Sequence, residues 1–260
     1  MKVNNTHLIY FSPTGTTQKV VNAIAEGLKA DKIQRYDLTF PVEKTKIRLM
    51  EGVAVIGAPV YAGRIPVDVL ERLSLFQAEN IPSILVALYG NREFEDALVE
   101  LRDVVTAQGF NVIAAGAFIG EHSYSTKKHP IAVGRPDHED LKLAETFGQQ
   151  IALKIKNKDF HTPAIEGNIP YKERIKFGGV APETDGGTCT LCGTCAEVCP
   201  VRIITVTNTV ATKADNCIMC CACIKSCRFG ARVFKHPVIQ ERTELLVNNC
   251  SVPKSPKIFI

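Results

Sequence analysis

Two closely spaced runs of cysteine are the residues of this sequence best suited to chemistry. Each run follows the pattern C-x-x-C-x-x-C-x-x-x-C, and nine of the ten cysteines of the chain lie between Cys189 and Cys227. The eight cysteines that fit the pattern are Cys189, Cys192, Cys195, Cys199, Cys217, Cys220, Cys223 and Cys227. A loop with three cysteines two residues apart can direct three thiolates at one metal group, whereas the fourth cysteine has turned away.

Disulfides and zinc are the simpler explanations of so many cysteines. The N-terminal residues lack the charged-then-apolar layout of a signal peptide, so we expect a cytoplasmic protein, whose thiols stay reduced. Zinc sites use isolated C-x-x-C pairs rather than two overlapping triplets that are each followed by a fourth cysteine. Both explanations are therefore disfavoured.

Each run resembles the ligand motif of bacterial ferredoxins, and the tandem pair is similar to a two-cluster ferredoxin. The resemblance implies two [4Fe-4S] clusters, with the last cysteine of each run crossing to the other cluster. On this resemblance the ligands of the first cluster are Cys189, Cys192, Cys195 and Cys227, and those of the second are Cys217, Cys220, Cys223 and Cys199.

The second run departs from the ferredoxin pattern in two places. Pro200 follows Cys199, but Arg228 follows Cys227 where the family usually has proline. Cys221 lies inside the second triplet, where pairing with Cys217 would break the two-residue spacing. We interpret Cys221 as a small buried side chain rather than a ligand.

The positive charge of the chain is confined to the cysteine region. The formal net charge is +4, and residues 186–237 hold six basic and two acidic residues, which accounts for the whole excess. Eight thiolates around two clusters would leave this region negative, so the basic residues serve as compensation and a nucleic-acid site is disfavoured. No apolar run is long enough to span a bilayer.

The N-terminal part of the chain opens on a pattern typical of a phosphate site. An apolar run at residues 6–11 predicts a buried strand, and residues 18–28 have the apolar period of a helix. The loop between them would aim amides, hydroxyls and the positive end of the helix dipole at one anion. It lacks the sequence of a P-loop or of a dinucleotide fingerprint. The candidate phosphate ligands are Ser12, Thr14, Gly15, Thr16 and Thr17.

This loop resembles the FMN phosphate loop of flavodoxins, and two later loops resemble their flavin-ring loops. The first follows a predicted strand at 53–58 and the second follows one at 84–89. The resemblance places Tyr61 and Tyr89 near the flavin ring, at the carboxyl ends of strands where open sheets bind ligands. The candidate flavin-ring residues are Pro59, Val60, Tyr61, Ala62, Gly63, Tyr89, Gly90, Asn91 and Arg92.

Two roles for Gly63 remain open at this point. Glycine has access to positive φ, which would let the backbone at Ala62 or Gly63 reorient with the redox state of the flavin. Alternatively, Gly63 simply completes a tight turn.

Further strands at residues 32–38 and 110–119, with helices near 94–106 and 137–156, complete an alternation of strand and helix. Asp137 is the expected N-cap of the last helix. Five alternating strands predict an α/β domain in which helices cover both faces of a parallel sheet. The resemblance to flavodoxins implies the strand order 2-1-3-4-5, with FMN at the switch between the first and third strands. The cysteine region would form a second, smaller α+β domain of ferredoxin type.

The expected boundaries are a flavodoxin-like domain at 1–157, a linker at 158–187, a ferredoxin domain at 188–237 and a tail at 238–260. The apolar end of the tail, residues 258–260, is expected to pack on the first domain, and a short strand or turn is expected at 171–177. The polar loop at 120–134 is unusually long, and such loops are often functional. It would cover the flavin edge or meet a partner.

Taken together, the chain resembles the fused flavodoxin–ferredoxin proteins of anaerobes over nearly its whole length. The resemblance implies an electron carrier that exchanges single electrons between clusters and FMN and works with redox partner proteins. The alternatives are an FMN-dependent reductase of a small molecule, fed by its own ferredoxin domain, and a binding module with structural clusters. Whether the protein is itself an enzyme stays open at this point.

Overall fold

Alternating strands and helices build the first domain, and short elements surround the cysteines. The computed structural model describes residues 3–175 and 178–260. The strands are β1 Asn5–Tyr10, β2 Lys32–Asp37, β3 Ile47–Leu49, β4 Val53–Pro59, β5 Phe76–Ala78, β6 Ile81–Tyr89, β7 Phe110–Ile119, β8 Glu183–Thr184, β9 Ile204–Val206, β10 Val210–Thr212, β11 Arg232–Val233 and β12 Lys257–Phe259. The helices are α1 Thr16–Leu28, α2 Val67–Leu73, α3 Ala97–Ala107, α4 His138–Lys156, α5 Thr194–Glu197, α6 Ala222–Lys225 and α7 Pro237–Asn249.

The main sheet has six strands in the order β12-β7-β6-β4-β1-β2. Its first five strands in the chain, β1, β2, β4, β6 and β7, pair in parallel, and they stand in the spatial order 2-1-3-4-5. This order confirms the predicted doubly wound, flavodoxin-like α/β fold. The direction of winding reverses between β1 and β4, so the loops after these two strands lie side by side.

Both faces of this sheet carry apolar side chains, and helices pack on each face. Helices α2 and α3 cover one face and α1 and α4 cover the other. Every residue of β4 is buried, as expected for a central parallel strand. Among the described residues, no helix has the length and apolar character needed to cross a membrane.

The ends of the helices follow local sequence signals. Helix α4 begins after Asp137, whose carboxylate accepts the Asp140 amide while the Asp140 carboxylate accepts the Asp137 amide. This reciprocal cap confirms the predicted start of α4. Helix α3 begins three residues later than predicted, because Glu95 adopts a positive φ of 45° that interrupts a helix.

The cysteine region forms a small domain from two similar halves. Each half holds a cysteine loop followed by a one-turn helix, α5 or α6, and the hairpin β9–β10 lies between them. Strand β8 pairs with β11, which joins the segment before the first run to the segment after the second. The domain therefore begins before the predicted boundary at residue 188.

The segment predicted as a linker makes hydrogen bonds with the first domain at the start of α3 and along it. Two backbone amides, those of Asn168 and Lys172, donate to the buried carboxylate of Asp96. Tyr171 donates to Asp103 farther along α3. The strand or turn expected at 171–177 extends outside the described residues; residues 171–175 have no regular structure.

The tail forms helix α7 and then strand β12, which pairs antiparallel with β7 at the edge of the main sheet. The predicted return of the apolar C-terminal residues to the first domain is thus confirmed. The buried Asn91 amide group anchors this return, because it donates to the carbonyls of Cys250 and Val252 and accepts the Lys254 amide.

Candidate metal centres and anion-binding edge

The first cavity of the small domain lies between the two cysteine runs. It gathers four cysteines from both runs, and these are Cys189, Cys192, Cys195 and Cys227. The fourth cysteine comes from the second run because the chain folds its two halves face to face. The set is the one that the ferredoxin resemblance implies for the first cluster.

The second cavity gathers the complementary cysteines. The cysteines that line it are Cys199, Cys217, Cys220, Cys221 and Cys223. Four of these five belong to the repeated pattern, and Cys221 is the fifth.

The two cavities differ in their exposure. Cys192 is exposed, and hydrogen bonds from the Thr194 hydroxyl and amide lower the pKa of its thiol. Cys199, Cys220 and Cys223 are buried, and burial raises the pKa of Cys220 to about 12. The cysteines of the second cavity are thus more deeply buried than those of the first.

Arg232 lies between the cavities and lines both of them, although it is only 2% exposed. Its guanidinium donates to the hydroxyls of Thr184 at 2.6 Å and Thr212 at 3.0 Å, and its Nη2 is 3.9 Å from the Cys223 sulfur. Sequence reasoning counted Arg232 among the compensating charges and missed its position. The signal that could have found it is an arginine within the otherwise apolar run A-R-V-F after the last cysteine.

The predicted phosphate loop has the form of an anion cradle. Gly15 adopts φ 78° directly before α1, and a Cβ at this position would meet open space. The amides of Thr16 and Thr17 open the helix and have no acceptor within it. The Thr14 and Thr16 hydroxyls are 3.3 Å apart, whereas the Ser12 hydroxyl caps the Gln18 amide. The loop can therefore offer amides, two hydroxyls and the helix dipole to one anion.

The loop after β4 forms a tight turn over residues 61–64. The amides and carbonyls of Tyr61 and Arg64 bond to each other, and Ala62 and Gly63 have positive φ values of 51° and 85°. The Gly63 carbonyl accepts the Asp96 amide at 3.0 Å. The carbonyl of Ala62, in the central peptide of the turn, is the one that a reorientation of this turn would move.

Tyr61 lies beside the second cavity. Burial holds the pKa of its phenol well above the ordinary value, and the neighbouring Cys220 and Cys221 raise it further. The ring is half-buried and is held at the carboxyl end of the main sheet by the turn. The structure thus brings the predicted ring loop next to the cysteines.

The residues at the end of β6 and in the loop after it make contacts inside the protein. Tyr89 is 4% exposed and packs against Phe94, while Gly90 lies against the His122 ring. Asn91 binds the C-terminal segment, as described above, and Arg92 pairs with Glu95. The structure therefore does not bring the Tyr89 ring to the open edge beside Tyr61.

The long loop after β7 joins the two domains. The Tyr124 hydroxyl lies 3.6 Å from the Met219 sulfur, and its ring packs on Phe234. The Lys225 amine binds the Glu121 carboxylate at 2.6 Å. The loop therefore contacts the cysteine domain of the same chain. A contact of this loop with the flavin edge or with another protein stays a prediction.

Two further contacts join the first domain to the residues that follow Cys199. The Arg72 guanidinium donates to the Pro200 carbonyl at 2.9 Å, and the Arg202 guanidinium stacks on the Phe40 ring at 4.7 Å. Ile218 packs against the core on the α2 and α3 face. The second cysteine run is therefore fixed against the carboxyl edge of the sheet.

Comparison with known proteins distinguishes the cysteine region from the N-terminal part of the chain. Residues 181–228 match the family described as 4Fe-4S dicluster domain. No curated protein matches the chain.

Among solved structures, similar chains include a flavodoxin from the domain Archaea, with 14% identity over 58% of this chain and 99% of that chain, and a TM-score of 0.39. A Fusobacterium nucleatum flavodoxin bound to flavin mononucleotide shows 19% identity over 59% of this chain and 98% of that chain, and a TM-score of 0.38. Rubredoxin oxygen:oxidoreductase from the anaerobe Desulfovibrio gigas shows 18% identity over 60% of this chain and 37% of that chain, with a TM-score of 0.44.

The assignment of the fold rests on the observed strand order rather than on these similarities. The chain joins a flavodoxin-like α/β domain, with the strand order 2-1-3-4-5, to a small domain that matches the 4Fe-4S dicluster family.

Proposed function

We propose that the protein is an electron carrier that holds two [4Fe-4S] clusters and one FMN and passes single electrons between them. The observation that carries this proposal is the position of two cavities that each hold four pattern cysteines, one at the surface and one against the edge that holds the phosphate cradle. When bound, each cluster would exchange one electron and FMN one or two.

The proposed cluster ligands are the four pattern cysteines that line each cavity. Burial disfavours free thiolates in the second cavity, so a cationic iron group is needed to keep those sulfurs ionised. The proposed ligand sets are Cys189, Cys192, Cys195 and Cys227 for the first cluster, and Cys199, Cys217, Cys220 and Cys223 for the second.

The proposed FMN site uses the phosphate cradle and the turn at Tyr61. Thr14, Gly15, Thr16 and Thr17 would hold the phosphate through amides and hydroxyls. The half-buried Tyr61 ring offers an aromatic face at the same edge of the sheet. The sequence has one phosphate cradle and no dinucleotide fingerprint, which favours FMN over FAD.

The exposure of the two cavities suggests the order in which the sites work. Leu191 and Phe229 line the first cavity and are exposed, and the Arg228 guanidinium covers the Phe229 ring. This apolar rim with one cation suits contact with a redox partner protein. The second cavity adjoins Tyr61, so it would serve as the link between the surface cluster and the flavin.

Cofactor analysis of protein purified without oxygen tests the proposal. About eight irons, eight labile sulfides and one FMN are expected per chain. Four or fewer irons, stoichiometric zinc, or FAD in place of FMN would show that the proposal is wrong.

A further inference from the structure

Arg232 is a buried cation whose charge the protein alone does not balance. Among the described residues no carboxylate forms an ion pair with its guanidinium, and its buried Nε has no hydrogen-bond partner. Its other two nitrogens bind neutral hydroxyls, those of Thr184 and Thr212. Burial of a charge or donor without compensation is costly, so this position indicates an anionic group nearby.

The two cavities are the spaces that could hold such a group. Arg232 lines both, and its Nη2 lies 3.9 Å from the Cys223 sulfur. Strand β11 holds the residue in place, since Arg232 pairs with Thr184 of β8 across the small domain. The guanidinium is therefore fixed between the cavities by the fold.

We propose that Arg232 is a counter-ion shared by both clusters, with its Nε–H donating to a sulfur of a bound cluster. This inference rests on the proposed function, because it requires the two clusters. Reduction adds one negative charge to a cluster, so a fixed buried cation stabilises the reduced form of each cluster more than the oxidised form. Arg232 thus raises the reduction potentials of both clusters.

Arg232→Met tests this role by replacing the cation with an apolar chain of similar length. Potentiometric titration of the intact protein, followed by electron paramagnetic resonance, should show both cluster potentials lowered. We expect the equilibrium constant for reduction of each cluster to fall about tenfold, which is about 59 mV for a one-electron couple. Arg232→Lys retains the charge and should restore most of the shift, which a purely structural role would not predict.

Lys213→Met is the matched control, because Lys213 belongs to the same domain but is exposed. Solvent screens an exposed charge, so the equilibrium constants should change less than about threefold. If Arg232→Met keeps eight irons and either potential stays at its wild-type value, the inference is wrong. If the wild-type protein lacks two clusters, the proposed function fails first, and iron analysis distinguishes the two cases.

A measurement on the wild-type protein keeps the inference testable should Arg232→Met fail to assemble. Arginine labelled with ¹⁵N in the guanidino group would be incorporated, and pulsed electron paramagnetic resonance of the reduced clusters would be recorded. A coupled ¹⁵N nucleus that persists in Arg228→Met is the expected result. Absence of any guanidino coupling in the wild type would overturn the inference.

Discussion

One of the two left-handed backbone positions inside each cysteine loop is filled by glycine in the first run and by cysteine in the second. Gly193 occupies it in the first run with φ 83°, and Cys221 occupies it in the second with φ 62°. Positive φ disfavours a side chain, so glycine is the ordinary residue at such a position. The buried Cys221 sulfur donates to the Met219 carbonyl at 3.5 Å, which gives the thiol a local partner.

Substitution of Cys221 separates this local role from a role as ligand. We expect Cys221→Ser to keep about eight irons per chain, because the hydroxyl can donate to the same carbonyl and the four pattern cysteines remain. Cys220→Ser, the matched control, should lose iron from the second cavity. Iron and sulfide analysis measures both variants, and a loss of four irons in Cys221→Ser would make Cys221 a ligand.

The phosphate loop gives a second prediction for a single residue. Gly15→Val places a β-branched side chain at φ 78° in the space where the phosphate is expected, so FMN affinity should fall at least about tenfold. Gly134→Val is the matched control, since Gly134 has φ 77° and equally open surroundings. FMN titration of the apoprotein measures both. Equal losses in the two variants would mean that backbone strain, rather than the cradle, determines binding.

At the scale of elements, α3 holds the segment between the domains through acidic side chains. Asp96 accepts the amides of Asn168 and Lys172 and the Asn168 side-chain amide. Burial raises the pKa of Asp96, but these hydrogen bonds outweigh it and hold the pKa below its usual value. The stabilisation is therefore present above the ordinary pKa of about 4 and is lost as the pH falls below it.

Asp96→Ala should release this segment. Because two part-buried amide donors lose a charged acceptor, we expect the free energy of unfolding to fall by about 3 kcal/mol. The amides of Asn168 and Lys172 should also exchange hydrogen faster. Asp103→Ala removes a half-exposed carboxylate on the same helix and should cost less than about 1 kcal/mol. Unchanged exchange in Asp96→Ala would contradict the role given to this carboxylate.

The sequence predicted the elements that local signals determine and missed those that depend on distant contacts. The apolar runs of β4 and β7 and the cap at Asp137 carried their own signals, and all three are confirmed. The apolar C-terminal residues predicted the return of the tail to the first domain, but not strand β12. Its pairing depends on the open edge of β7 and on the anchor at Asn91. Short segments of this kind are fixed by tertiary structure.

The candidate sites show the same division. The resemblance to two-cluster ferredoxins implied two sets of four pattern cysteines, and each set lines one cavity, with Cys221 as a fifth cysteine in the second. It did not predict the internal use of Tyr89, since a tyrosine at a strand end can face either solvent or core. Nor did it predict that residues 120–134 bind the cysteine domain, because that contact joins segments about 100 residues apart.

At the scale of the whole molecule, the second cavity lies against the sheet edge and the first lies at the surface. Met219 of the second run contacts Tyr124, and Lys225 on α6 binds Glu121. Both contacts involve the loop at 120–134. Arg72 ties the Pro200 carbonyl to α2 on the other side. For the proposed electron carrier, this fixed arrangement would favour electron exchange within one chain over exchange between chains.

Flash reduction of the intact protein tests this central claim most directly. A light-generated one-electron donor would reduce the exposed cluster, and absorbance would follow the flavin at several protein concentrations. We predict a first-order rate of flavin reduction that does not change with protein concentration, because the electron moves through the second cluster of the same chain. A rate proportional to protein concentration, or clusters that stay reduced beside an oxidised flavin of higher potential, would contradict the account.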